Sequence, residues 1–298
     1  MSAPSAGPGS AAITAATSLL APWRWLTAPR FYGLENVPTD RPALFVGNHT
    51  VMGVLDVPLM LLGLYEHCGV RVRPLGDHVH FAIPGWRDLL RLFGTVEGTR
   101  ESCRALMAAG ESILVFPGGG REVFKRKGEK YRLLWGNRLG FVRLGIEHGY
   151  RILPFAAVGA EECYDILVDA GDLLCFVPLL RRLPRTDEIP PLVRGLGLSA
   201  IPRPERFYFH FGQPIETAHL AGLETNGRLC AAVCDEVRAA IEAGIAFLLW
   251  ERERDPERHL LARLVRRLRG LEPQPEVAPT PVRAVRAPRA VMRGRVEV

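Results

Sequence analysis

A chain of 298 residues, 48% of them hydrophobic, is long and apolar enough to bury a substantial core, which excludes an intrinsically disordered protein. The formal net charge of +6 favours anionic partners: membrane surfaces, nucleic acid or polyphosphate-bearing molecules. Six cysteines (Cys68, Cys103, Cys163, Cys175, Cys230, Cys234) form no CxxC pair, which argues against a disulfide-stapled secreted domain and for reduced thiols in a cytosol-facing protein.

Residues 1–10 are small and rich in Pro, Gly and Ser, without a basic n-region, so a loose start and no secretory signal are expected. Residues 11–30 set Leu19, Leu20, Trp23, Trp25 and Leu26 beside Arg24 and Arg30. Two readings stand: an amphipathic segment at a membrane interface, or a helix whose tryptophans pack on the domain. No apolar run approaches the ~20 residues of a membrane span, so any membrane contact is expected to be interfacial.

ALFVGN (43–48) reads as a buried strand, 56–67 as a helix and 70–75 as an alternating strand. Helices are expected over 85–93 and 100–109, and ESILVFP (111–117) as a buried strand ending at a glycine turn. A helix over 138–149, closed by Gly149, leads to a strand over 151–159. This alternation predicts an α/β fold with a central, mostly parallel sheet flanked by helices.

Beyond Glu161 a Pro- and Arg-rich stretch gives way to an aromatic strand within 207–215. A helix over 228–250 aligns Leu229, Val233, Val237, Ile241 and Leu248, and Cys230 and Cys234 share a face suited to buried packing. Residues 256–269 form a basic amphipathic helix that either lies on anionic lipid or is a solvated outer helix. The expected organisation is a flexible start with an interfacial segment (1–30), a catalytic domain (31–250), a basic helix (251–270) and a disordered tail (271–298).

Two segments carry chemistry. In GNHTVMGVLD a buried strand ends at Asn48, and His49 emerges before a glycine-containing turn. The carboxyl end of a strand in an open α/β sheet faces the ligand crevice, and neutral imidazole is a suitable base near pH 7. A neighbouring carboxylate would orient the ring. In FPGGGREVFKRKGEK, Gly118, Gly119 and Gly120 follow a strand, so the backbone can approach a ligand and offer N–H groups to an anion. It is neither a Walker loop nor a dinucleotide fingerprint, and no GxSxG elbow appears. The three lysines of the chain, Lys125, Lys127 and Lys130, all fall here, as a phosphate-facing patch or as an exposed loop that keeps lysine. Asp77, His78 and His80 suggest a metal site, but no third and fourth ligand lies nearby, and none is assigned. The basic residues are not interleaved with aromatics in a nucleic-acid module, so no nucleic-acid partner is expected.

The NH…D block, the Gly98-Thr99-Arg100 element, FPGG and the ILPFAAVG strand, in that order, resemble the four motifs of the glycerolipid and lysophospholipid acyltransferase superfamily over roughly residues 30–220. FPGGGRE, in place of EG[TS], is more similar to the monoacylglycerol/diacylglycerol acyltransferase-like branch. The resemblance implies transfer of an acyl group from acyl-CoA or acyl carrier protein to a lipid hydroxyl, with His49 as base and no metal or bound cofactor. It implies that Asn48, Arg100, Phe116, Pro117, Gly118, Gly119, Gly120 and Arg121 line the acceptor or oxyanion side. From charge, Lys125, Arg126, Lys127 and Lys130 are expected to meet the carrier's phosphates. The implied partners are a thioester donor, a lipid acceptor and a membrane surface, with the protein peripheral on its cytoplasmic face. Acylation of lysophosphatidate or glycerol 3-phosphate, and non-catalytic lipid binding, are the alternatives.

One departure stands out. The family spacing HxxxxD would put the aspartate at Val54, whereas here it is Asp56. Seven helical steps would separate His49 and Asp56 by about 10 Å, so the segment must loop at Gly53, or Glu122 must orient the ring instead.

Overall fold

The computed structural model describes residues 9–51, 53–176 and 189–279. In chain order the elements are α1 (Ser10–Thr27), β1 (Arg30–Tyr32), β2 (Ala43–Gly47), α2 (Val57–Cys68), β3 (Val72–Gly76), α3 (His78–Phe81), α4 (Trp86–Leu92) and β4 (Val96–Glu97). There follow α5 (Arg100–Ala108), β5 (Ser112–Val115), α6 (Gly120–Val123), α7 (Gly140–His148) and β6 (Arg151–Val158). The described chain continues through β7 (Asp165–Val168), α8 (Ala170–Phe176), β8 (Leu192–Arg194), β9 (Tyr208–Phe211), α9 (Gly227–Arg254) and α10 (Leu260–Leu268).

Seven strands form one sheet in the order β1-β9-β6-β2-β5-β3-β4, and β7 pairs with β8 apart from it. Every neighbouring pair in the large sheet is parallel except β6–β9. The expected α/β architecture with a mostly parallel sheet is therefore present. Because β6 and β9 are antiparallel, Tyr208 at the start of β9 lies beside Val158 at the end of β6, and Arg30 opens β1 next to Tyr208. The starts of β1 and β9 thus share an edge with the ends of β2, β5 and β6. That edge is called the C-terminal rim below.

The central strands are apolar throughout because both faces are covered. In β2, Leu44 and Val46 join a cluster with α5, α7 and α9, while Ala43 and Phe45 join one with α2. In α9, Val233, Val237, Ile241 and Leu248 are buried as expected; Cys230 and Cys234 are buried free thiols on the same stripe, and Leu229 is half-buried at its margin.

Three expectations change. Trp23 packs inward, donating its indole N–H to the Leu55 carbonyl at 2.9 Å, while Trp25 points out, so the two tryptophans of α1 part company. His78 and His80, which would share a face on a strand, lie instead on the short helix α3, and among the described residues no three His, Cys, Asp or Glu side chains are placed to hold a metal. Residues 271–279, expected to be disordered, dock against β1: the Phe31 N–H donates to the Glu276 carbonyl at 2.7 Å and the Ala278 N–H to the Phe31 carbonyl at 2.9 Å. A proline-rich segment can do this because an edge pairing needs only alternate N–H groups. The rest of the expected tail, and the start before residue 9, lie outside the described residues. Among the described residues, no helix is long and apolar enough to cross a membrane.

Candidate active site

β2 delivers His49 to the C-terminal rim, and the turn after β5 meets it there. The imidazole stacks on Phe116, with ring centroids 3.9 Å apart and planes 16° from parallel. Gly53, at φ +60°, folds the following loop back over the ring; a Cβ there would lie 2.5 Å from His49 Cε1. The expected loop at Gly53 is present, and it requires glycine twice over.

The main chain of His49 is held from both sides. Its N–H donates to Glu122 Oε2 at 3.2 Å, and its carbonyl accepts from Lys125 Nζ at 3.1 Å. Lys125 is fully buried and also pairs with the buried Glu161 carboxylate. Glu161 in turn accepts the Tyr131 N–H at 2.7 Å, and Glu122 Oε1 accepts the Leu134 N–H at 2.9 Å. Burial raises the carboxyls of both Glu122 and Glu161, with Lys125 opposing the shift. The Glu122 side chain fills the space over Gly118, where a Cβ would sit 2.1 Å from Glu122 Cγ.

Neither expected orienting acid touches the ring. Asp56 is buried as the N-cap of α2, with Oδ1 accepting from Thr50 Oγ1 and the Val57 N–H, each at 3.0 Å. Glu122 binds the His49 backbone, and His49 Nδ1 is buried without a hydrogen-bond partner among the described residues. Burial first, then Lys125 and His80, lower the imidazole to about 3. The ring is therefore neutral at physiological pH, the protonation state a base requires.

The other expected residues divide. Gly119, at φ +52°, shapes the turn into α6 at Gly120, and the Gly119 N–H donates to the Phe116 carbonyl at 3.0 Å. The Pro117 and Gly118 carbonyls accept from Arg138 Nη1 at 3.0 and 2.9 Å. Asn48 is a structural bridge here: its amide exchanges two hydrogen bonds with Ala157 of β6, at 2.9 and 2.8 Å, which satisfies it without a ligand. The expected lysine patch loses Lys125. Lys125 is buried, Lys127 pairs with Asp172 at 2.7 Å and Lys130 lies 4.0 Å from Glu162. Arg121 pairs with Glu129 at 2.5 Å, and the Arg126 N–H donates to that same carboxylate. Arg100 is exposed at the start of α5 and, with Asn137, Arg138, Leu139, Gly140 and Arg143, lines a cleft of about 320 Å³ without an acidic residue.

Sequence reasoning missed Glu161, Arg138 and Thr50. The available signal for Glu161 was its place just beyond β6, at the same rim as His49. Arg138 and Thr50 had none, since each acts through a fold-dependent contact.

Residues 28–158 match the model of the Acyltransferase family. The chain is 32% identical over 253 residues to phytyl ester synthase 1, chloroplastic, of Arabidopsis thaliana, an alignment covering 78% of this chain and 36% of that protein. It is 33% identical over 131 residues to the DGAT1/2-independent enzyme synthesizing storage lipids of Bos taurus, covering 44% of this chain and 39% of that enzyme. The chain thus spans about a third of the length of the phytyl ester synthase. The crystal structure of the 1-acyl-sn-glycerophosphate acyltransferase PlsC from Thermotoga maritima aligns with a TM-score of 0.46 and 16% identity, over 74% of this chain and 76% of that one. The segment that carries His49, Arg100 and the Gly118–Gly120 turn belongs to the Acyltransferase family.

Proposed function

We propose that the protein transfers an acyl group from a thioester donor, acyl-CoA or acyl carrier protein, to the hydroxyl of a lipid at the cytoplasmic face of a membrane. The observation that carries this reading is the neutral imidazole of His49 at the C-terminal rim, its main chain gripped by Glu122 and Lys125 beside the glycine turn. The acceptor O–H gives its proton to the imidazole, and its oxygen forms a bond to the thioester carbonyl carbon. The C–S bond then breaks, and the departing thiolate takes the proton from the imidazolium. The thioester already supplies an activated acyl group, so this route calls on no further cofactor.

The backbone N–H groups of Gly118 and Gly120 serve the carbonyl oxygen as it gains charge. Asp56 is the acceptor we assign to the buried Nδ1 during the reaction, at the expense of its Thr50 contact. The donor's phosphates meet the cleft of Arg100, Arg138 and Arg143, which holds no acidic residue, whereas Lys125 is buried in an ion pair. Relatives named for a phytyl ester and for storage lipids favour a neutral lipid alcohol over a phosphorylated acceptor.

The test offers labelled acyl-CoA with a panel of monoacylglycerol, diacylglycerol, long-chain alcohols and lysophospholipids to wild type and His49→Ala. Transfer to a neutral alcohol that disappears in the variant supports the reading. Equal transfer by both proteins removes His49 as the base.

A further inference from the structure

α10 is packed the wrong way round for a solvated helix. Leu261, Val265 and Leu268 follow one another at i, i+4 and i+7, which places them on a single stripe. They are 72%, 37% and 87% exposed. Arg263, on the opposite side, is buried, and its guanidinium donates to four carbonyls: Glu257 and Arg258 at 2.8 Å, Leu26 at 2.7 Å and Pro204 at 2.9 Å. An amphipathic helix on a water-soluble surface buries its leucines and exposes its arginines. Here Leu260 and Leu264 are half-buried, while one arginine, tied to the end of α1 and the approach to β9, holds Leu261, Val265 and Leu268 outward. Trp25 of α1 flanks the helix on its Arg267 side; it is half exposed and carries the Arg267 guanidinium 4.4 Å from its ring centroid.

The position of this face matters as much as its composition. Leu26, Pro204 and Arg206 all precede β1 and β9, whose starts lie on the C-terminal rim, so α10 sits at the same edge of the sheet from which His49 emerges. Within that edge, Val54 on the loop after His49 and Val79, Ile83 and Leu92 around α3 and α4 are also exposed. The helix has no acidic residue; of the arginines beside the stripe, Arg269 at its C-cap is exposed, Arg267 lies over Trp25, and Arg266 pairs with Glu257 at 2.9 Å.

We infer that α10, together with Trp25, is a docking face for an anionic bilayer, with its leucine stripe inserted among the acyl chains and its flanking arginines at headgroup level. Exposed leucines between arginines have this chemistry and lack a protein partner's alternating donors and acceptors. Docking there would present the rim, and His49 within it, to a lipid acceptor without that lipid leaving the membrane. The location of this surface rests on the membrane-surface reading proposed above, whereas its detection requires no turnover.

The experiment sediments the full chain with phosphatidylcholine vesicles, with and without phosphatidylserine. Wild type is expected to bind the anionic vesicles, and to bind them more weakly in high salt. Leu261→Asp/Leu268→Asp is expected to weaken that binding by about tenfold or more. Leu223→Asp, an exposed leucine in the connection between β9 and α9 at the opposite edge, should leave it unchanged. His49→Ala should bind like wild type, which separates failure of the docking face from failure of the acyl-transfer reading. Should the double variant melt below wild type, Leu268→Ser supplies the same comparison in a milder form. Equal sedimentation of wild type and the double variant overturns the assignment, as does absence of wild-type binding. A wild-type dimer in gel filtration that the double variant splits, with no vesicle binding, would assign the face to a second copy and overturn it equally.

Discussion

Two clusters of buried charge lie behind the C-terminal rim, and they do different work. Beneath His49, Lys125 and Glu161 form one pair, with the Glu122 carboxylate beside them, and two of the three groups grip a single residue's main chain. Beneath α10, Arg206 pairs with Asp255 at 2.9 Å and lies 3.6 Å from Glu257, while Arg263 reaches carbonyls from two distant stretches of chain and from the turn before its own helix. Desolvating such groups is expensive, so a hydrophobic replacement would often be as stable. What each arrangement supplies is placement: the first fixes one histidine to within a hydrogen-bond length, and the second fixes the facing of a whole helix.

The first way to test this contrast is to remove the chemistry and leave the brace. His49→Ala is expected to lower acyl transfer by about 10²- to 10⁴-fold with little change in thermal melting, measured by turnover of labelled acyl-CoA. Removing the brace should do both kinds of damage. Lys125→Met leaves Glu161 buried and unpaired, so about 3–5 kcal/mol of stability should vanish in urea unfolding along with turnover. Lys125→Met/Glu161→Gln should recover part of the stability without the activity, since the His49 carbonyl still lacks its donor. Full recovery of turnover in the double variant would show that the brace is dispensable. Arg263→Met, by contrast, should weaken vesicle binding and leave turnover of a water-soluble, short-chain acceptor near wild type.

A smaller effect separates the two roles of Asp56. As a helix cap, its replacement by Ala should cost about 1 kcal/mol. Asp56→Asn keeps most of the cap, so a loss of turnover out of proportion to that of stability would identify the carboxylate as the ring's partner in the reaction.

A further effect is in the pH profile. His49 falls from an ordinary value of 6.5 to about 3, so between those values the unfolded chain binds more protons than the folded one. The stability contributed by neutral His49 is therefore complete above pH 6.5 and is lost as the pH falls toward 3. Asp56, Glu122 and Glu161, raised by burial, act in the opposite sense and are present in both proteins being compared. Urea midpoints of wild type minus His49→Gln should thus decline as pH falls from 7 to 5. A flat difference would mean that His49 is solvated in solution.

Much of this was legible in the sequence because it is written in local pattern. The apolar strands, the glycine turn and the emergence of His49 each depend on a few adjacent residues. The lysines were misread for the complementary reason. Lys125, Lys127 and Lys130 look alike in a short basic run, yet Lys125 meets a carbonyl 76 residues earlier and a carboxylate 36 residues later. Asn48 was read as a ligand contact because its two bonds to Ala157 span 109 residues. Likewise, periodicity showed that α10 is amphipathic without showing which side faces the protein; the carbonyls that decide this come from residues 26, 204, 257 and 258.

The segment at 276–278 has a consequence of another kind. β1 is the outermost strand of the large sheet, and among the described residues its free side is occupied by the bonds between Phe31 and Glu276 and Ala278. An uncovered edge strand is a template for pairing with another molecule. Trimming the chain after Gly270 would expose that template while leaving every residue at His49 in place. Such a shortened protein is expected to lose solubility before it loses catalytic competence, so an expression boundary drawn at the end of α10 would look like a folding defect when its origin is an unguarded strand.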